Sequence, residues 1–167
     1  MKKLLLLITF AAFSTGAFAQ VKIGHINTSE LLEEMPEMIE AQDSLQKFNE
    51  AIQAQYLSMT NELQSKFERY QASVQEGKDR AILEIMEKEI QLLQKNIQDF
   101  EETANDNLAT KREDLMGPIL EKAEKAIKDV AAEGKYTYIL DSTKGGAVLY
   151  GAESNDISGA VKKKLGL

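Results

Sequence analysis

The feature that most constrains this chain is a long helix-forming stretch with a regular apolar spacing. Residues 37–116 contain no proline and one glycine, Gly77, and are rich in Glu, Lys, Gln, Ala and Leu, a composition typical of long helices. In the first part, apolar residues recur in steps of 3, 4 and 4, at Leu45, Phe48, Ile52, Tyr56, Met59, Leu63, Phe67, Tyr70 and Val74. An eleven-residue repeat gives about 3.67 residues per turn and predicts a nearly straight helix over 38–74.

A second apolar stripe with similar spacing follows a polar turn at residues 75–79. Its members are Ile82, Met86, Ile90, Leu93, Ile97, Phe100, Ala104, Leu108 and Leu115. Two such stripes joined by a short turn predict a long antiparallel helical hairpin over 38–116. Each helical arm of about 37 residues would be roughly 55 Å long, which is far longer than a compact domain of this size needs.

The first residues indicate export. A positive start precedes an apolar run over residues 4–13, and residues 17–19, Ala-Phe-Ala, have the small-residue form of a cleavage site. This pattern predicts a secretory signal peptide over 1–19 that is cleaved after Ala19, with an apolar part too short to span a membrane. We expect a mature periplasmic chain starting at Gln20, with no stable membrane insertion; a retained N-terminal anchor is the alternative.

The mature chain is acidic and lacks cysteine. From Gln20 onward there are 18 basic and 27 acidic residues, a net charge of −9, whereas general binding to nucleic acid or anionic lipid needs a basic surface. Residues 38–116 carry 9 basic and 16 acidic residues, a net charge of −7, and only the tip at 66–80 is slightly positive. The absence of cysteine excludes disulfides, thiolate metal sites and a cysteine nucleophile.

Strand signals lie at the two ends of the mature chain. Residues 21–27 predict a strand, followed by capping side chains and a short helix. Residues 136–150 predict a β-hairpin, because aromatic and β-branched residues flank a turn with two glycines. A last short helix is predicted over 157–165, and Gly117-Pro118 predicts a kink or restart in the second arm.

A lone two-stranded hairpin is marginal in water, so the two ends must meet. We expect residues 20–37 and 117–167 to form one small β-body, giving an α+β fold that is mostly helical. So small a body rarely suffices alone, and oligomerisation is the remaining means of completing its sheet. The residues expected in that interface are Val21, Ile23, Ile26, Tyr138, Leu140, Val148, Leu149 and Tyr150.

Candidate chemistry in the sequence is sparse. His25 is the single histidine, and a histidine on a strand without a neighbouring acid and nucleophile is ordinarily structural. The carboxylates of the arms, such as those at 84, 87 and 89, are interspersed with lysines and are typical of solvated helix faces. The sequence therefore predicts neither catalytic residues nor a metal or cofactor site.

Apolar residues off the two stripes mark candidate binding surfaces. When two helices pack together, each buries one apolar stripe against the other. Further apolar side chains therefore either pack against a third helix or stay exposed as weak sites for another protein. These off-stripe residues are Ala41, Ala51, Ala54, Leu57, Leu83, Ile85 and Leu92. The sequence leaves both alternatives open.

The ends of the chain resemble the Skp/OmpH family of periplasmic chaperones. The resemblance rests on Ile23 to Asn27, on the strand pattern of 138–150 and on Asp156-Ile157-Ser158, and the order of elements agrees along the whole mature chain. It implies a homotrimer in which a central β-body holds three helical arms around a cavity. It further implies a holdase that uses no ATP and binds unfolded outer-membrane proteins.

With this resemblance, two groups of arm residues become candidates for client binding. They are the apolar Leu57, Leu83, Ile85 and Leu92, and the basic tip residues Lys66, Arg69, Lys78 and Arg80. The acidic charge is a departure, because members of the family are often strongly basic. The alternative function is a coiled-coil spacer or adaptor of the cell envelope that binds one folded partner.

Overall fold

The computed structural model describes residues 21–146 and 148–167. The predicted signal peptide, Gln20 and Ala147 of the predicted hairpin lie outside the described residues. The elements in chain order are β1 (Ile23–Ile26), α1 (Thr28–Glu33), α2 (Pro36–Gln75), α3 (Arg80–Glu133), β2 (Tyr138–Asp141), a 3₁₀ turn (Glu153–Asn155) and α4 (Ser158–Leu165). The expected fold, mostly helical with a small sheet, is confirmed.

Helices α2 and α3 form the expected antiparallel hairpin. Pro36 is the first residue of α2, a position where its missing N–H leaves no intrahelical hydrogen bond unmade. Gly77 makes the turn between the helices with a φ of 69°, which glycine adopts without strain. Asp79 caps α3, since its carboxylate accepts a hydrogen bond from the N–H of Ala81 at 2.8 Å.

Polar contacts between the arms fix their register. Lys66 Nζ donates to Glu89 at 2.8 Å, and the hydroxyl of Tyr70 donates to Glu87. Near the body, Lys122 pairs with Glu37 in the same way. Residues 38–62 of α2 therefore lie opposite residues from about 120 back to about 95 of α3, because the two helices are antiparallel.

Helix α3 runs without a break through Gly117-Pro118, so of the predicted kink or restart, the restart is wrong. Pro118 lies inside a helix of 54 residues and is exposed. Its neighbours Leu115 and Ile119 pack on the core of the body. These flanking contacts keep both parts of the helix in place despite the backbone hydrogen bond that proline cannot make.

The sheet joins the two ends of the chain. Strands β1 and β2 pair in parallel, with Ile23 opposite Tyr138 and Ile26 opposite Asp141. The two ends of the chain therefore meet in one sheet, as the strand signals at both ends led us to expect. On the other side of β1, His25 forms a bridge with Asp156, so β1 is the inner strand.

The predicted hairpin at 136–150 is not formed within this chain. Its first strand is β2, but residues 148–150 belong to no strand. After β2 the chain crosses to the far side of β1, where the N–H of Ile157 donates to the carbonyl of His25 at 3.0 Å. Residues 148–150 therefore do not pair with β2 in this structure.

The core of the body collects residues from both ends of the chain and from the base of the arms. Its buried members are Ile26, Leu31, Met35, Met38, Ala41, Ile119, Ala123, Ala126, Val130, Ile157 and Val161. Helix α4 closes this core, and the carboxylate of Asp156, two residues before the helix, accepts a hydrogen bond from the N–H of Ser158 at 2.7 Å. The core places β1 and β2 at one end of the arms.

Candidate binding surfaces

Most residues predicted for oligomerisation form an exposed apolar surface on the body. Leu149 is fully exposed and Tyr150 is 87% exposed, which is unusual for side chains of this size. The body surface, as we call it, consists of Val21, Ile23, Tyr138, Leu140, Val148, Leu149 and Tyr150, of which only Val148 is half-buried. Ile23 lies opposite Tyr138 in the paired strands, and exposed apolar side chains of this size are typical of a contact with another chain.

Ile26 does not belong to the body surface. Its side chain is only 1% exposed and lies in the core of its own chain. Successive side chains of a strand point to opposite faces, so Gly24 and Ile26 face inward while Ile23 is exposed. The predicted interface role of Ile26 is replaced by packing against α1 and the base of the arms.

The outer edge of β2 adjoins the body surface. β1 has β2 on one side and Asp156 on the other, whereas β2 pairs only with β1 among the residues that the structure describes. An edge strand presents backbone N–H and C=O groups that can pair with a further strand. The body therefore offers an open strand edge beside exposed apolar side chains.

A hydrogen-bond network on Asp141 holds the end of β2 against α1. The carboxylate accepts from the N–H of Thr143 at 3.0 Å, from the N–H of Thr28 at 3.3 Å and from the hydroxyl of Thr28 at 2.8 Å. Desolvation raises the pKa of Asp141, but these hydrogen bonds outweigh it and hold the pKa below its ordinary value. The charged carboxylate thus stabilises the folded body.

His25 has a structural role, as its isolation in the sequence indicates. Its Nε2 lies 3.1 Å from the carbonyl oxygen of Ala152, to which a protonated Nε2 donates. Gly151 lies so close to the imidazole ring that any side chain there would collide with it. His25 therefore holds the segment 151–157 against the far edge of β1.

The arms expose several large apolar side chains outside the two stripes. Leu57 and Leu92 are each 60% exposed and Ile85 is 58% exposed, while Leu83 is half-buried. Three of the four apolar residues predicted for client binding are thus openly accessible. Ala41 instead packs in the core of the body, whereas the exposed off-stripe residues stay candidates for contact with another protein.

The apolar stripes are less buried than the sequence indicated. On α3 the stripe residues Ile90, Leu93, Ile97 and Ala104 are buried, whereas every stripe residue of α2 remains half-buried or exposed. Each of two packed helices covers only one side of the other. Apolar side chains at the margins of a stripe therefore remain partly exposed to solvent. The stripe residues that remain exposed are Tyr56, Phe67, Val74 and Ile82.

The basic candidates at the tip are largely paired within the hairpin. Lys66 contacts Glu89 at 2.8 Å, Lys78 contacts Glu76 at 3.2 Å and Arg80 contacts Glu84 at 3.1 Å. Arg69 is exposed. Surface ion pairs of this kind are weak, so a carboxylate of another molecule can replace the internal partner at small cost.

Metal ligation and membrane spanning find no support in the described chain. Within residues 21–146 and 148–167 there is no group of three or more His, Cys, Asp or Glu side chains that could hold a metal ion. Across the same part of the chain, no helix combines the length and the apolar character that crossing a bilayer requires.

The chain is similar to known proteins over nearly its whole length. A family model described as outer membrane protein (OmpH-like) matches residues 22–165. The chaperone protein Skp of Photorhabdus luminescens is 32% identical over 174 residues and aligns with 99% of each chain. Skp of Yersinia enterocolitica is 28% identical over 159 residues, which cover 93% of this chain and 92% of that protein.

The fold agrees with a crystal structure as well. An OmpH-like protein of Caulobacter crescentus CB15 superposes with a TM-score of 0.74 at 14% identity, covering 88% of this chain and 85% of that chain. At this identity the likeness concerns the fold alone.

Proposed function

Because the chain belongs to the OmpH-like family of chaperones, we propose that it is an ATP-independent holdase of the periplasm that binds unfolded outer-membrane proteins. It holds them by many weak contacts and needs neither a cofactor nor a catalytic group. The relatives are named chaperones, and the positive start and apolar run before Ala19 fit an exported chain.

Three chains assemble through the body in this proposal. The body surface and the free edge of β2 supply apolar contact and backbone hydrogen bonds to a neighbouring chain, with residues 148–150 as the segment that adds to the neighbour's sheet. The body formed by 20–37 and 117–167 then holds three arms, each made of residues 38–116. The arms surround a cavity in which the client lies.

The observation that carries the holdase function is the exposure of Leu57, Ile85 and Leu92 at dispersed points along the arms, in addition to the partly exposed stripe residues. Each lies in a helix whose other exposed residues are mainly charged or polar. Single apolar contacts separated by polar surface bind an unfolded chain weakly at many points, whereas one folded partner requires a contiguous patch. Such contacts exchange readily and suit clients of unrelated sequence.

The test replaces these three side chains together, as Leu57→Ser, Ile85→Ser and Leu92→Ser. Fully burying one such side chain contributes about 1.5–3 kcal/mol, and a client covers it only in part, so about 1 kcal/mol per site is expected. The triple variant should therefore bind an unfolded β-barrel client more than tenfold less tightly. Light scattering of the diluted client measures the loss of aggregation suppression.

A matched control introduces three serines on the same helices without removing a large apolar group, as Ala72→Ser, Ala81→Ser and Ala132→Ser. All three alanines are exposed, so this variant should suppress aggregation like the unmodified protein. Undiminished suppression by the triple variant, with its assembly intact, would show that the client binds elsewhere. Saturable binding of one folded protein, with no suppression for any unfolded chain, would instead favour the envelope adaptor.

A further inference from the structure

The negative charge of the arms is concentrated in the half that adjoins the body. From the register of the two helices, we define a proximal half, residues 38–62 with 95–116, and a distal half, residues 63–94. The proximal half contains 4 basic and 10 acidic residues, a net charge of −6, whereas the distal half contains 5 basic and 6 acidic residues, a net charge of −1. The arms therefore have a strongly acidic base and a nearly neutral tip.

Most proximal carboxylates have no lysine or arginine partner in an ion pair. In the part of the chain that the structure describes, Asp43 is the one proximal carboxylate in an ion pair, with Lys47 at 2.6 Å. Distal Glu76, Glu84 and Glu89 each contact a lysine or arginine. The proximal acids outside ion pairs are all exposed: Glu40, Glu50, Glu62, Asp99, Glu101, Glu102, Asp106, Glu113 and Asp114.

An apolar groove lies between the two helices within the same proximal half. Its volume is about 610 Å³, and its lining combines the apolar Leu45, Ala109, Leu108 and Met116 with polar side chains. The polar ones are Gln42, Gln46, Asn49, Asn105 and Arg112. Side-chain amides both donate and accept hydrogen bonds, so they can satisfy the N–H and C=O groups of an extended polypeptide.

We propose that the proximal half selects unfolded segments that carry lysine or arginine among apolar residues. The client's apolar side chains lie in the groove, its backbone bonds to the amides, and its cations lie beside the uncompensated carboxylates. Several of these carboxylates act together on one cation, because charges interact over about 10 Å at moderate salt. Acidic segments are repelled by the same field.

This inference rests on the proposed holdase function and names the class of client segment that the arms prefer. Charge complementarity favours an unfolded polypeptide over nucleic acid or an anionic membrane, since both of those are polyanions and would face a net charge of −6 per chain. The three arms of one assembly would bring their proximal halves together and add their fields.

The experiment compares two unfolded polypeptides with the same apolar residues, one with lysines and one with glutamates at the intervening positions. Fluorescence anisotropy measures the binding of each to the full assembly at low ionic strength and again near 0.5 M salt. The lysine polypeptide should bind about tenfold more tightly at low salt, and most of this difference should disappear in high salt, where screening acts within a few ångströms.

Two variants with equal overall charge locate the effect. The proximal variant carries Glu50→Gln, Glu102→Gln and Asp106→Asn, and the distal control carries Glu68→Gln, Glu76→Gln and Glu84→Gln. Each removes three exposed negative charges with isosteric side chains. The proximal variant should bind the lysine polypeptide about fivefold less tightly, since each exposed charge contributes modestly, while the distal control should change less than twofold.

The outcomes separate this inference from the function on which it rests. Equal binding of both polypeptides at low salt, or equal losses in both variants, would overturn the charge preference and leave the holdase intact. Binding of neither polypeptide, together with failure to suppress client aggregation, would overturn both. A salt-sensitive preference for lysine that only the proximal variant loses supports the inference.

Discussion

Replacement of the two most exposed residues of the body surface is expected to dissociate the assembly without unfolding the chain. Leu149 is 100% exposed and Tyr150 is 87% exposed, so neither contributes appreciably to the packing of the isolated chain. Fully burying one such side chain contributes about 2 kcal/mol. If a neighbouring chain covers both, Leu149→Ser with Tyr150→Ser removes about 4 kcal/mol per interface, which weakens association about a thousandfold.

Sedimentation equilibrium over a wide concentration range measures this change, and circular dichroism shows whether the helices persist. Leu57→Ser is the matched control, because it removes an exposed leucine from an arm and should leave association unchanged. Tyr138→Asp or Leu140→Asp on β2 should also disperse the oligomer, since both side chains are exposed on the body surface. Trimers of undiminished affinity in the double variant would refute the assignment of this surface to assembly.

Three further predictions concern the body. Met35 is fully buried, so Met35→Ala should lower the free energy of unfolding by about 3 kcal/mol in urea denaturation, and a loss below 1 kcal/mol would contradict its place in the core. Asp141→Asn should reduce the free energy of unfolding at neutral pH. Because the pKa of Asp141 is depressed in the folded protein, its carboxylate stabilises the fold fully above the ordinary pKa of about 3.9. This stabilisation is lost as the pH falls through the lower folded pKa. The two proteins should therefore converge in acid, and a difference independent of pH would refute this. Gly151→Ala should destabilise by about 1–3 kcal/mol, because the added methyl meets the imidazole of His25, and the cost should shrink in a His25→Ala background.

The arms could be predicted from the sequence because their signals are local. The eleven-residue stripes, the turn at Gly77 and the start of α2 after Met35 depend on residues close together in the chain, and the structure places α2 at Pro36–Gln75. The path after β2 depends on distant contacts instead. Residues 148–150 have strand-forming side chains, but their direction is set by the hold of His25 on Ala152 and Ile157, which no local pattern contains.

The degree of burial of the stripe residues also could not be predicted from their periodicity. A stripe identifies the inner face of a helix but not how much of it the partner covers, so Phe67 and Tyr56 belong to the stripe and are nevertheless exposed. For Ile26 the sequence did contain a usable signal. Ile23 and Ile26 are an odd number of residues apart, so in a strand they face opposite sides, and both could not have lain in one interface.

Burial is distributed unevenly between the body and the arms. The buried cluster of the body holds both ends of the chain and the base of both arm helices, whereas α2 buries only Ser73 beyond Ala41. The arms therefore depend on helix propensity, on one partly covered seam and on weak surface ion pairs. The core of the body includes no residue from the outer parts of the arms. Substitutions of apolar and charged residues there should therefore have only small effects on assembly. Under the proposed holdase function, substitutions in the arms, including the acidic proximal half, would change client preference and leave the packing of the body intact.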